Sequence, residues 1–297
     1  MGWREQASVL AYRGGWSAVR HLPEAAAYAA FDQIADLAWK RRTKGAQRLR
    51  TNLARVLGPD VDLDAVTRAG MRSYLRYWCE VFRLPDWDRH RVIGRIRIMG
   101  EHHLRDPLAA GVGLVGALPH MGNWDHAGAW ATMTGAKVTT VAERLKPDAV
   151  YEDFLAFRQG LGMEILPLSG GDQDVFEVLA DRVHANHFVP LVADRDLTTR
   201  GIPVTFFGER ATMPAGPAAL ALRTGAPLVP VSLFYEGTPP QHDPVMRFHD
   251  PVELSTGPDP VQATTQALAS VFEVAIAEHP EDWHMLQRLF AADLEPR

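Results

Sequence analysis

The spacing of apolar residues changes character near residue 100. Between residues 25 and 39, Tyr28, Phe31, Ile34, Ala35, Ala38 and Trp39 recur at intervals of three and four, which predicts a helix with one apolar face. Pro23 stands where such a helix can begin. The same interval returns from residue 64 to 82 through Val66, Met71, Leu75, Trp78, Val81 and Phe82. Further on, short apolar runs at 113–118, 137–141, 163–167, 188–193, 227–234 and 245–248 read as strands. Helical stretches at 148–161, 174–184 and 214–223 lie between several of them and are long enough for crossover connections. Continuous apolar runs imply strands buried on both faces. The pattern predicts an α/β fold: a mostly parallel central sheet flanked by helices, with a helical N-terminal extension. Residues 1–100 are expected to form that extension and residues 101–297 the core, with no repeat or linker separating them into independent units.

Composition narrows the class. The 297 residues are 46% hydrophobic and 23% charged, the balance of a folded chain with a sizeable core. The single cysteine, Cys79, can form no internal disulfide and no cysteine-based zinc site, which fits a reducing compartment. The first residues lack the basic head and apolar run of a secretory signal. The longest uncharged apolar stretch, residues 108–119, is far shorter than the roughly 20 residues that cross a bilayer.

Charge changes the picture more. The net charge of -5 conceals a balance of +8 over residues 1–105 and -13 over the rest. Lys40, Arg41, Arg42, Lys44, Arg48, Arg50 and Arg55 fall in one stretch without an acidic residue. Following an amphipathic helix, with Trp16 and Trp39 nearby, this stretch suits an anionic membrane surface, although a helix packed on the core with a solvated basic face has the same pattern. Nucleic acid is a poorer partner, because the acidic remainder opposes it and no nucleic-acid motif is present.

In open α/β sheets, ligands bind beyond the carboxyl ends of strands. Directly after the run at 113–118 come His120 and Asp125, in the pattern H-x4-D. With His120 in the turn and Asp125 in the first helical turn, Gly122 allows the chain to fold back. The carboxylate would then hold the Nδ1 proton and aim Nε2 outward as a general base. After the run at 188–193 come Asp194, Arg195 and Asp196, placing Asp194 near the same edge if the two strands are parallel neighbours. Asp194 could support an imidazolium or orient a hydroxyl, or the three residues could form a loop salt bridge. His120, Asp125 and His126 are also possible metal ligands, but no clear third or fourth ligand accompanies them, and no metal is expected. There is no G-x-S-x-G elbow for a serine nucleophile.

The runs PHMGNWDHAG at 119–128, ADRDL at 193–197, FFGERATMPAGPAALALRTGAPLVPV at 206–231 and HPEDWHMLQ at 279–287 resemble the bacterial lipid A late acyltransferases, a branch of the lysophospholipid acyltransferase group. Similarity continues through YRGGWSAVRHLPE at 12–24, KRRTKGAQRLRTNLARVLG at 40–58 and MRSYLRYWCEVFRLP at 71–85, and is greatest to members that acylate mannosylated phosphatidylinositol. The resemblance implies a glycerolphosphate-acyltransferase-like core and transfer of a long, palmitoyl-like chain from acyl-CoA. The acceptor it implies is the 6-hydroxyl of the mannose on inositol position 2 of phosphatidylinositol mannosides. Acyl-CoA enters as a substrate, with no permanently bound cofactor, and the work would be done at the cytoplasmic face of the plasma membrane. The family's catalytic pair corresponds to His120 and Asp125; where it usually carries a glutamate before an Arg-Asp pair, this chain has Asp194. Arg158 matches a position of the polar substrate site, Arg195 is a phosphate-binding candidate, and Asn123 or the amides of residues 121–123 are candidate oxyanion donors. Another glycolipid or lysophospholipid acceptor, an acyl-CoA thioesterase and a non-catalytic lipid-binding protein are the competing expectations.

Overall fold

The computed structural model describes residues 14–143, 148–168, 174–196, 201–237 and 243–294. A helix over 14–21 (α1) leads into α2 (Glu24–Lys40), α3 (Lys44–Val56), α4 (Leu63–Arg83) and α5 (Arg89–Gly94). There follow β1 (Arg97–Met99), α6 (His102–Ala109), β2 (Leu114–Leu118), α7 (Trp124–Met133), β3 (Thr139–Ala142), α8 (Asp148–Gly160) and β4 (Glu164–Pro167). The chain continues through α9 (Val175–His184), β5 (Phe188–Val192), the hairpin β6 (Ile202–Phe206) and β7 (Glu209–Met213), and α10 (Gly216–Thr224). It closes with β8 (Leu228–Glu236), β9 (Asp243–Phe248), α11 (Pro260–Glu278) and α12 (Ala291–Leu294).

The central sheet has the order β1-β9-β8-β2-β5. Strand β2 is parallel to both neighbours, β5 and β8, while β8 and β9 are antiparallel. The parallel pair β3-β4 continues past β5, where Val138 bridges Phe188. Every residue of β2 is buried, as its unbroken apolar sequence requires of a strand covered on both faces. The predicted α/β class and the six predicted strands are present. Strand β1 and the β6-β7 hairpin are additions, and the hairpin's alternating exposed and buried residues reflect one solvated face.

The helical N-terminal part is integrated into this core. Strand β1 pairs with β9 within the sheet. Helix α3 begins on Thr43, whose hydroxyl accepts from Ala46 N, and α4 begins on Asp62, which accepts from Asp64 N and Ala65 N; these caps satisfy amides that a helix start leaves without partners. One face of α2 is buried through Ala27 and Ala35, but Ile34, expected on the inner face, points outward and is 52% exposed, next to the 46%-exposed Leu37. The basic stretch divides. Arg55 turns inward, pairing with Glu209 at 2.9 Å and Asp293 at 2.9 Å, whereas Lys40, Arg41, Arg42, Lys44 and Arg48 are exposed.

Helix α3 also holds the C-terminal segment. Asn52, buried, donates from Nδ2 to the carbonyls of Met285 at 2.7 Å and Gln287 at 2.9 Å. Asn52→Ala leaves two carbonyls without that donor, and urea unfolding should show a loss of about 1–3 kcal/mol.

Candidate active site

Adjacent parallel strands assemble the site from segments distant in sequence. Leu118 is in register with Val192, and Ala193 N donates to Leu118 O at 2.7 Å, so the residues that follow each strand emerge side by side. His120 and Asp194 therefore meet. The imidazole Nδ1 lies 2.5 Å from Asp194 Oδ1, and the His120 backbone N–H donates to Asp194 Oδ2 at 2.9 Å. Asp194 is fully buried, whereas the His120 side chain retains 28% exposure. Burial pushes the Asp194 carboxyl upward, but the charge and hydrogen bonds of His120, with a third bond from Trp283, hold it below its ordinary value. An ionised carboxylate only accepts, so Nδ1 carries the proton and Nε2 is the ring nitrogen without one.

The acid expected to hold His120 does something else. Asp125, in the first turn of α7, accepts from Arg158 Nε at 2.6 Å, Arg158 Nη2 at 3.2 Å and the Tyr77 hydroxyl at 2.9 Å. The start of α7 turns this carboxylate beneath the helix toward α8 and α4, while the strand register delivers Asp194 to the imidazole. Burial opposes the Arg158 charge, yet Asp125 raises its pKa above the ordinary value. Burial, followed by the Asp125 charge, pushes the Tyr77 hydroxyl well above its ordinary value. Arg158, expected at the polar substrate site, is thus bidentately committed to Asp125, although it lines the same cavity as His120.

Asn123 also differs from expectation. It is buried and caps α7: Oδ1 accepts from His126 N at 2.9 Å, and Nδ2 donates to Glu80 Oε2 at 2.8 Å. Its side chain is engaged at both ends, so it positions the turn instead of meeting an oxyanion. The Gly122 amide is likewise engaged, donating to Asp282 O at 3.0 Å. Gly122 has φ +54, and a Cβ there would come within 2.7 Å of the Leu233 carbonyl group. Glycine is required on both counts. The metal set considered above is dispersed, because His126 is buried with Nε2 against Val92 O at 2.8 Å.

A cavity of about 310 Å³ opens beside His120 between the sheet and helices α7 and α8. Its polar lining residues include His120, Asp125, Arg158, Glu143 and Arg195. Its walls are apolar and include Leu118, Phe154, Met163, Phe188, Val231 and Met246. Gly128 lies against Met163, where a Cβ would stand 2.5 Å from Sδ. Arg195 is partly buried on this cavity and its Nε has no hydrogen-bond partner among the described residues.

Four contributors escaped the sequence reading. Ser73, Tyr77 and Glu80 occupy one face of α4, and their intervals of four and three were the available signal. Glu80, buried, accepts from Asn123 and from the Tyr235 hydroxyl at 2.8 Å. The fourth is the segment from Asp282 to His284. It crosses the His120 turn, with His284 N donating to His120 O at 2.7 Å. Ser73 Oγ joins its side chains, 2.5 Å from Asp282 Oδ1 and 2.9 Å from His284 Nε2.

The model of the bacterial lipid A biosynthesis acyltransferase family matches residues 4–292, and the chain belongs to that family. It is 47% identical over 291 residues to the phosphatidylinositol mannoside acyltransferase of Mycolicibacterium smegmatis (strain ATCC 700084 / mc(2)155), covering 97% of this chain and 93% of the relative. It is 48% identical over 288 residues to the phosphatidylinositol mannoside acyltransferase of Mycobacterium tuberculosis (strain ATCC 25618 / H37Rv), covering 96% of this chain and 89% of the relative.

Asp282 makes stability depend on pH. Burial raises its carboxyl to about 7 despite hydrogen bonds from Ser73 and Tyr235 N. A carboxyl raised above its unfolded value favours the folded state at low pH, and that contribution is lost as pH rises toward 7. In Asp282→Asn, the part of the stability decline between about pH 4 and 7 that Asp282 causes should disappear, read as urea midpoints across that range.

Proposed function

We propose that the chain transfers a long, palmitoyl-like acyl group from acyl-CoA to the 6-hydroxyl of the mannose on inositol position 2 of phosphatidylinositol mannosides. The observation that carries this reading is the pairing of His120, which lines a largely apolar cavity, with buried Asp194. The names of the two relatives supply the acceptor class.

In this mechanism Nε2 of His120 accepts the proton of the mannose hydroxyl as its oxygen attacks the thioester carbonyl. Asp194 stabilises the imidazolium that forms, and the tetrahedral intermediate collapses by expelling the coenzyme A thiolate, which takes the proton from His120. The apolar walls receive the acyl chain, whose burial contributes about 0.8 kcal/mol per methylene. Arg195 is the cation best placed for a phosphate of either substrate. Asp125 and Arg158 neutralise each other and brace the junction of α7 and α8.

The two acids are expected to respond differently to substitution. His120→Ala should abolish transfer of labelled palmitate to a mannosylated phosphoinositide, and Asp194→Asn should slow it by about 10²–10⁴-fold with folding retained. Asp125→Asn removes the countercharge of Arg158 and should cost about 3 kcal/mol of stability or more. An acceptor panel with one labelled donor separates mannosides from lipid A precursors and lysophospholipids. Free fatty acid released equally with and without acceptor would instead indicate a thioesterase.

No helix among the described residues is long and apolar enough to cross a membrane. We infer peripheral attachment at the cytoplasmic leaflet through the exposed cations of α2, α3 and the turn between them, with Ile34 and Leu37 entering the interface. Each cation near an anionic surface is worth about 1 kcal/mol. Reversing Arg41, Arg42, Lys44 and Arg48 to Glu should abolish sedimentation with phosphatidylserine vesicles at low salt; unchanged sedimentation would exclude this face.

A further inference from the structure

We propose that Trp283 is a positioning residue for acyl transfer, its indole N–H fixing the Asp194 carboxylate that holds the His120 proton. This rests on the acyltransfer reading above and extends it to the C-terminal segment. Asp194 Oδ2 accepts from His120 N at 2.9 Å and from Trp283 Nε1 at 2.8 Å, leaving Oδ1 for His120 Nδ1. A buried carboxylate is costly without such donors, and among the described residues the indole supplies the one that does not come from His120 itself.

The surrounding structure holds that donor in place. Trp283 is fully buried. Its ring lies 6.1 Å from Phe206, edge-on, and 6.0 Å from Phe207, at the tip of the β6-β7 hairpin. Phe207 has φ +48, uncommon for a residue with a Cβ, and its amide donates to Glu273. On the other side, Trp283 bridges Met121 through the backbone bonds that flank it. The indole therefore touches the acid by its side chain and the His120 turn by its backbone. Without its N–H the carboxylate loses one of two donors on Oδ2 and is freer to rotate away from Nδ1.

The same loss makes the acid–imidazole pair more basic, because its negative charge is less well stabilised. Of the other titratable groups near the pair, Asp282 changes charge near pH 7 in wild type and variants alike, so the limb is read as a difference between them. Burial, followed by the His120 charge, pushes His284 down to about 3, so it stays neutral. Asp282 is engaged by Ser73 and Tyr235 N, and Asp125 by Arg158. Arg195, next in sequence to Asp194, keeps its charge throughout.

The test uses the full chain with palmitoyl-CoA and a phosphatidylinositol mannoside, with rates expressed per folded enzyme. Trp283→Phe keeps an aromatic ring but no donor; kcat should fall about 10–100-fold, as for outer partners of other active-site groups. KM for palmitoyl-CoA should stay within about twofold, and the acid limb of kcat/KM should move to higher pH by about one unit. Trp283→His loses more bulk, but its Nε2 occupies the same ring position as the indole nitrogen. It should recover part of kcat and move the limb back. Phe207→Leu loosens the packing on the indole while keeping its N–H, and should lower the melting temperature without moving the limb. Trp283→Phe with wild-type kcat and limb, or Trp283→His slower than Trp283→Phe with no recovery of the limb, overturns the proposal. An inactive wild-type chain would instead overturn the acyltransfer reading.

Discussion

A carboxylate removed from water must be surrounded by donors, and the architecture of this site follows from meeting that need at Asp194. The acid is fully buried, and among the described residues no arginine or lysine donates to its oxygens. Three N–H groups converge on it: two from the turn after β2 and one from the C-terminal segment. The imidazole, the acid and the indole belong to residues 120, 194 and 283, so the chain must be fully folded before the imidazole is held. The parallel register of β2 and β5 brings the first two together, and the crossing of Trp283 over Met121 adds the third.

The second acid shows how similar residues acquire different tasks from their surroundings. Asp125 is also buried, but its charge is balanced by Arg158 and its remaining capacity is used by Tyr77. An ion pair of this kind stabilises a junction between helices and cannot follow a proton through a reaction. Asp194 has no such partner among the described residues, and its charge is answered by an imidazole that can change its own. The division of labour lies in the strand register, with H-x4-D supplying the imidazole and the brace while a residue 74 positions from His120 supplies the acid that meets the imidazole.

The parts of the fold that were legible in the sequence are those with a local cause. Continuous apolar runs marked the strands buried on both faces, and three-four spacing marked α2 and α4. The β6-β7 hairpin was obscured because one of its faces is solvated, and β1 because three residues are too few to establish a period. Ile34 was assigned to the inner face of α2 because spacing alone does not locate the centre of an apolar stripe. At the site, His120 and Asp194 were readable from their place after strands. Asp194 was also readable as a possible support for the imidazolium, but the Nδ1 contact went to Asp125, since a spacing rule favours the nearer acid in sequence. Trp283 and Glu80 were hidden for a similar reason: their bonds to Asp194 and Asn123 span 89 and 43 positions.

The most direct test is nuclear magnetic resonance of the chain labelled with nitrogen-15 in histidine. Near neutral pH, His120 should appear as the Nδ1–H tautomer with a low-field, slowly exchanging Nδ1 proton. That signal should disappear in Asp194→Asn and persist in folded Asp125→Asn. Its loss in Asp125→Asn and survival in Asp194→Asn would show that the imidazole is held by the other acid, contradicting the account.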